Sequence, residues 1–275
     1  MSEVRCPKDG SLMVLRTAKR GPYIGRQFYV CSYPGCSEII SYDVQNYIEA
    51  LGDEQWDVRR AAAMGLGEVG PGAMAGVPSL MDALRDERWD VRRAAAMALG
   101  EIGPDAWAAV PGLIEALEDE DVRGAATTAL GEIGHGAMAA VPSLIRVLQD
   151  EDARGAAAAS LGKFGAAAWP AVPGLINALE DRRWDVRRAA ATTLAEIGPA
   201  AAAAVPALIE PLRDERWDVR RAAAVALGRI GRDAIAAVPA LNEALSSDRD
   251  EAVRRAAAAA LKRIWESGED DSGSE

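Results

Sequence analysis

The stretch RWDVRRAAAMALGEIGP, residues 88–104, decides how the whole chain is read. From Asp90 to Ile102 the apolar residues Val91, Ala95, Ala98, Leu99 and Ile102 fall at i, i+4, i+7, i+8 and i+11, which is one face of an α-helix. Gly103-Pro104 closes that helix, with Gly at the C-terminal stop and Pro just beyond it. Downstream, Val110, Leu113, Ile114 and Leu117 mark a second helical face. Pro111 suits the first turn of that helix, where no backbone donor is needed. One such pair cannot bury its own apolar face, so neighbouring pairs must stack against it.

The neighbours are written into the chain. RWDVRRAAA returns at Arg183 and Arg216, and again at Gln55 with Gln in place of the first Arg. The Val-Arg marker aligns Val58, Val91, Val122, Ala153, Val186, Val219 and Val253, at spacings of 33, 31, 31, 33, 33 and 34. A Val-Pro marker aligns Val77, Val110, Val141, Val172, Val205 and Val238, at 33, 31, 31, 33 and 33. Two markers that keep step define a repeat array. Composition agrees: 49% of residues are hydrophobic but only 5% aromatic, so alanine dominates and close-packed helices are favoured over sheets.

The unit DVRRAAAMALGEIGP, continued by AAVPGLIEALED, resembles a HEAT repeat of the short bacterial kind, also found in phycobilisome-lyase proteins. The resemblance covers roughly residues 43–266 and implies an all-α fold, an α-solenoid of stacked antiparallel helix pairs. It leaves function open, because the family spans scaffolds, adaptors and a few enzymes. YDVQNYIEALGD matches the second half of a unit and DEAVRRAAAAALKRIWES the first half, as expected of atypical terminal units. The acidic, small and polar residues 267–275 are expected to be disordered.

Within the motif, Asp90 stands at the second helical position, where a carboxylate meets the positive end of the helix dipole, an effect of about 0.3–1 kcal/mol. Asp86 and Glu87 precede it and add to the same effect. The first Arg occurs in every unit: Arg59, Arg92, Arg123, Arg154, Arg187, Arg220 and Arg254. It can form a ladder with turn carboxylates of its own or the adjacent unit, or a row of guanidinium groups for phosphate or acidic peptide.

The Trp and the second Arg are separable from that core. Units three and four read EDEDVRGAA and DEDARGAA; they lack the Trp, carry Gly124 and Gly155 for the second Arg, and are two residues shorter. The Trp residues are then either optional packing over the turn or part of two partner-binding patches. One patch would hold Trp56, Arg60, Trp89 and Arg93, the other Trp184, Arg188, Trp217 and Arg221. By the resemblance, the second helices line a concave face, with polar positions Asp82, Glu115, Arg146, Asn177, Glu210, Asn242 and Glu243. Such a face suits a basic or neutral protein segment, or is simply solvated.

The first 42 residues differ from the rest. They hold six Lys and Arg against three Asp and Glu, +3, while the remainder carries −14, and all three cysteines lie within the first 36 residues. CPKDGSLMVLRTAKRGPYIGRQFYVCSYPGCSEII, residues 6–40, resembles the topoisomerase-type four-cysteine zinc finger and, through GRQFYVC, the Gly-Arg-Phe type. The resemblance implies a small β zinc-ribbon-like module over 1–42 that binds Zn2+ and single-stranded DNA or RNA. Its ligands would be Cys6, Asp9, Cys31 and Cys36, with Asp9 where the families have cysteine. The nucleic-acid contacts would come from Arg16, Lys19, Arg20 and Arg26 with Tyr23, Phe28, Tyr29 and Tyr33. The alternatives are a ribbon that has lost its metal and an aromatic pair, Phe28 and Tyr29, that serves only as its core.

Net charge of −11 and a pI near 4.8 argue against a nucleic-acid coat over the whole chain. The N-terminus lacks the apolar core of a signal peptide and no run is apolar enough to span a membrane, so a cytoplasmic location is expected. The single histidine, His135, occupies a loop position where other units carry Pro71, Pro104 or Pro199, which leaves no histidine-rich metal centre. The expected function is a non-catalytic scaffold or adaptor that binds a protein partner. A nucleic-acid-associated adaptor comes second and a phycobilin-lyase-like enzyme subunit third.

Overall fold

A computed structural model describes residues 13–17, 27–31 and 39–266, with side chains from residue 43 onward. The head supplies three strands, β1 (Met13–Thr17), β2 (Gln27–Cys31) and β3 (Ile39–Ser41). They form one antiparallel sheet in the order β1-β2-β3, with Met13 opposite Cys31 and Val30 opposite Ile39. Helices joined by short turns make up the rest of the described chain, which divides into two compact units, residues 1–136 and 137–275.

The first unit continues from the sheet through α1 (Tyr42–Ala50), α2 (Trp56–Val69), α3 (Val77–Ala83), α4 (Trp89–Ile102), α5 (Val110–Ala116) and α6 (Arg123–Ile133). In it α4 packs between α2 and α6. The second unit holds α7 (Val141–Val147), α8 (Arg154–Gly162), α9 (Val172–Ala178), α10 (Trp184–Ile197), α11 (Val205–Ile209), α12 (Trp217–Ile230), α13 (Val238–Ser247) and α14 (Glu251–Glu266). There α8, α10, α12 and α14 pack in series. Each unit is thus a stack of helix pairs, the all-α repeat architecture the two sequence markers imply.

The apolar face read from the quoted stretch is the buried one: Val91, Ala95, Ala98, Leu99 and Ile102 are all buried. Alanine dominates because the first helices of successive pairs approach closely. A Cβ added to Gly228 of α12 would lie 2.7 Å from the Ala260 Cα of α14, so no larger residue fits there. Gly103 sits at the C-cap of α4 with φ 75°, a conformation that only glycine adopts freely, and donates its N–H to Leu99 O.

Between the paired helices the chain forms a 3-10 segment rather than a simple stop. Gly103–Ala109 is the example, with Ala106 and Ala109 fully buried beneath it. Each repeat therefore has three helical pieces, of which the sequence pattern signalled two. Val110, Leu113 and Leu117 are buried as expected, while Ile114 is half-buried. The second helices are short, seven residues in α3, α5, α7 and α9. In α11 the helix stops at Ile209 and continues as a 3-10 turn, Glu210–Arg213, because Pro211 has no N–H to offer. An 18-residue window within Trp184–Arg213 reaches a mean hydropathy of 1.4, but half of that window is buried, as in a core helix.

Candidate partner-binding surface

The joints between repeats are closed by the first Arg of the motif. Arg187 of α10 donates from Nε and Nη2 to the two carboxylate oxygens of Asp214, at 2.6 and 3.0 Å, one repeat further on. Its Nη1 donates to Asp181 O and Arg182 O in its own turn, at 2.9 and 3.1 Å. Arg220 repeats this fork on Asp248, and Arg59 on Asp86, with the same pair of turn carbonyls behind each. Arg92 pairs with Asp119, and Arg154 with Asp181. A bidentate guanidinium–carboxylate pair is both strong and geometrically specific. Within each unit these guanidinium groups therefore form a ladder internal to the stack, not a free cationic row.

The aspartate of each rung has a second task. Its Oδ1 accepts the backbone N–H two residues on, from Arg88, Asp121, Arg183, Arg216 and Asp250 in turn, at 2.8–3.0 Å. Asp86 thus ties the turn to the ladder, a fuller role than the helix-dipole effect expected of it. The Arg59 hydrogen bond holds the Asp86 carboxyl below the usual carboxylate range, and Arg220 does the same for Asp248.

With the joint closed by Arg and Asp, the Trp side chains remain at the surface. Trp56 and Trp184 are 38% exposed, Trp89 and Trp217 43%. The expected grouping of Trp with the second Arg is met in part. Arg188 lies over Trp184 at 5.6 Å from the ring centroid, while Arg60, Arg93 and Arg221 are exposed and make no hydrogen bond or ion pair among the described residues. The closer cations are Arg88, 4.7 Å over Trp56, and Arg216, 4.4 Å over Trp184. Arg88 and Arg216 reach Asp90 and Asp218, at 3.3 and 3.4 Å. These two arginines precede the Trp of the next unit. The sequence alone does not single them out, since Arg183 stands before Trp184 although the repeat preceding it lacks the motif Trp.

Two further aromatic residues went unread in the sequence. Trp107 and Trp169, in the 3-10 segments, are 65% and 62% exposed, more than any motif Trp. They stand three residues before the Val-Pro marker, with Met74, Met138, Ala202 and Ile235 in the other units. A row of that phase could have been found by aligning the loops as well as the helices. The polar positions of the second helices are exposed. Two of them form ion pairs across a joint, Glu115 with Arg85 at 2.8 Å and Glu243 with Arg213 at 2.7 Å.

The candidate residues of the head are placed less fully. Cys31, Phe28 and Tyr29 lie on β2, and Arg16 lies on β1 opposite Phe28. Cys6, Asp9, Cys36, Lys19, Arg20, Tyr23, Arg26 and Tyr33 lie outside the described residues, as does the acidic tail. Among the described residues, no group of three or more His, Cys, Asp or Glu side chains is placed to hold a metal ion.

The sequence model of HEAT repeats matches residues 44–120, 110–171 and 172–268, nearly the whole helical array. Among curated proteins, none matches this chain. Solved structures do. An engineered protein shares 26% identity with a TM-score of 0.65, over 81% of this chain and 68% of its own. The complex of CpcE and CpcF of phycocyanin lyase from Nostoc sp. PCC7120 shares 27% at a TM-score of 0.52, over 85% of this chain and 98% of that one. A designed armadillo repeat protein in complex with the peptide (KR)4, 19% identical at a TM-score of 0.54 over 82% of this chain and all of its own, shares the fold.

Proposed function

The chain belongs to the HEAT-repeat family, and on that premise we propose that it is a non-catalytic scaffold or adaptor that holds a protein partner on its helical stack. One observation carries the reading: the Arg–Asp ladder runs through joints with and without Trp, so the exposed Trp side chains are surplus to the stack. Exposed aromatic and arginine side chains in rows are the groups that dominate protein interfaces. The test is capture of partners by the intact chain, compared with a variant carrying Trp56→Ala and Trp89→Ala and another carrying Trp184→Ala and Trp217→Ala. Loss of the same partner from either variant, at unchanged helicity, supports the reading. Equal capture by both variants and the parent overturns it for this surface.

A second reading rests on the likeness to the phycocyanin lyase complex, which covers most of this chain. On it, the chain is a subunit of a phycobilin lyase, and its stack holds a phycocyanin-like acceptor. Covalent bilin attachment in a reconstituted mixture, absent without this chain, would carry that reading over the first. The zinc site is a separate proposal. The donors Cys6, Asp9, Cys31 and Cys36 offer three thiolates and one carboxylate, a set that zinc accepts. It requires one zinc per purified chain, lost in Cys31→Ser.

A further inference from the structure

The residue two positions after each turn aspartate differs from repeat to repeat: Arg88, Asp121, Asp152, Arg183, Arg216 and Asp250. Its place is fixed by the turn aspartate, which accepts its backbone N–H in every joint. From that place Arg88 covers Trp56 and Arg216 covers Trp184. At the joints that follow Trp89 and Trp217, the same place is held by Asp121 and Asp250. Among the described residues no cation lies over either ring, and both are more exposed than the covered pair. Each unit thus has one Trp capped by its own arginine and one whose cap has been replaced by a carboxylate.

At Trp217 the opening is a cleft of about 720 Å³. Its walls include Trp217, Glu215, Glu243, Asp250 and the Arg220–Asp248 rung. Five carboxylates and three arginines line it; Glu243, Asp248 and Asp214 are taken up by Arg213, Arg220 and Arg187, which leaves Glu215 and Asp250 beside Arg249. An aromatic face beside excess negative charge is the environment that binds a guanidinium, through the ring quadrupole and a carboxylate together. The protein itself demonstrates the geometry at Trp56 and Trp184, where the guanidinium centres lie 4.7 and 4.4 Å from the ring.

We propose that the Trp217 cleft is a docking site for an arginine side chain from a basic segment of the partner protein, which takes the place of the missing intramolecular arginine cap. The inference rests on the scaffold reading and supplies the partner's chemistry. Arg suits the site better than Lys because its flat guanidinium stacks on the indole while its edge pairs with a carboxylate.

The test uses the full chain and a fluorescein-labelled (Arg-Gly)4 peptide, followed by anisotropy at about 0.15 M salt, where Debye screening over about 8 Å suppresses diffuse attraction. Lysine and citrulline peptides of the same length serve as comparisons. Asp250→Arg places an arginine where Arg88 and Arg216 cap Trp56 and Trp184, and should weaken arginine-peptide binding by about tenfold or more. Asp233→Arg makes the same charge change at an exposed position outside the cleft and should cost about twofold or less. Trp217→Ala should cost about fivefold, the range of an exposed-to-desolvated cation–ring contact. Equal binding of the citrulline peptide, or equal loss from Asp250→Arg and Asp233→Arg, overturns the proposal. If Trp217→Ala abolishes capture of the natural partner while the arginine peptide shows no preference, the scaffold reading stands and the arginine site falls. If capture is unaffected but the peptide result holds, the site stands and that reading of the surface falls.

Discussion

The joint at Arg187 and the joint at Arg154 lie in the same unit and solve one problem in two ways. In the longer joint, Arg187 grips Asp214 with Nε and Nη2 and spends Nη1 on two turn carbonyls. In the joint two residues shorter, Arg154 turns its Nε to Leu148 O at 2.7 Å and reaches Asp181 through Nη1 at 2.5 Å, and the fork on the carboxylate is lost. The helix it opens is also shorter, nine residues in α8 against fourteen in α10. Gly155 stands where Arg188 stands in the longer joint, and a Cβ there would lie 3.3 Å from Val186 and 3.9 Å from both Arg183 Nη2 and Asp185 Oδ2. The comparison separates what a joint requires from what it carries. The Arg–Asp rung survives the deletion with altered geometry; the Trp, the second Arg and the first helical turn do not.

That contrast can be broken by mutation. The largest effect should come from Asp214→Ala, which strands the largely buried Arg187 and removes the acceptor for the Arg216 N–H; we expect a loss of about 3 kcal/mol in urea unfolding. Arg187→Ala should cost about 2–3 kcal/mol and Arg154→Ala about 1–2, because the shorter joint has fewer charge-assisted bonds to lose. An equal cost at the two positions would mean that the fork adds nothing. Trp184→Ala should cost about 1 kcal/mol or less, since the rung beneath it remains, yet it should impair partner capture.

The smallest effect concerns pH. Asp86 and Asp248 have carboxyls held below their ordinary range, by the Arg59 and Arg220 hydrogen bonds respectively. Both carboxyls are ionised near neutrality in the folded and unfolded chain, and the folded chain favours the ionised form. Their contribution is therefore complete above the unfolded value of about 3.9 and lost as pH falls through the lower folded value. Stability measured from pH 6 to pH 2.5 should fall less steeply in Arg220→Ala than in the parent, since that variant has already lost the rung.

The period, the buried face of α4, the Gly103 cap and the Arg ladder were all legible in the sequence. Each is set by residues whose spacing repeats, and the ladder was one of two readings that residue types alone left open. The 3-10 segments were not legible, because Ala106 and Ala109 are too small to show a face and Gly103-Pro104 reads as a stop. Pro211 was visible, but its place within the second helix depends on where α11 begins. The covering of Trp56 by Arg88 joins residues one repeat apart, a relation that periodicity within a helix does not report. Trp107 and Trp169 were not legible as exposed residues because they lie in 3-10 segments between helices, where no periodic face marks which side chains are buried.

The central claim is that Arg–Asp rungs, rather than Trp packing, close the joints. A double-mutant cycle on Arg187→Ala and Asp214→Ala, read by urea unfolding, tests it most directly. Within the range of about 0.5–3 kcal/mol usual for interacting residues, the account predicts a coupling of about 1.5 kcal/mol or more. It also predicts less than about 0.5 kcal/mol for the same cycle on Trp184→Ala with Asp214→Ala. Additive losses for the Arg187 and Asp214 variants, or a larger coupling through Trp184, would contradict it.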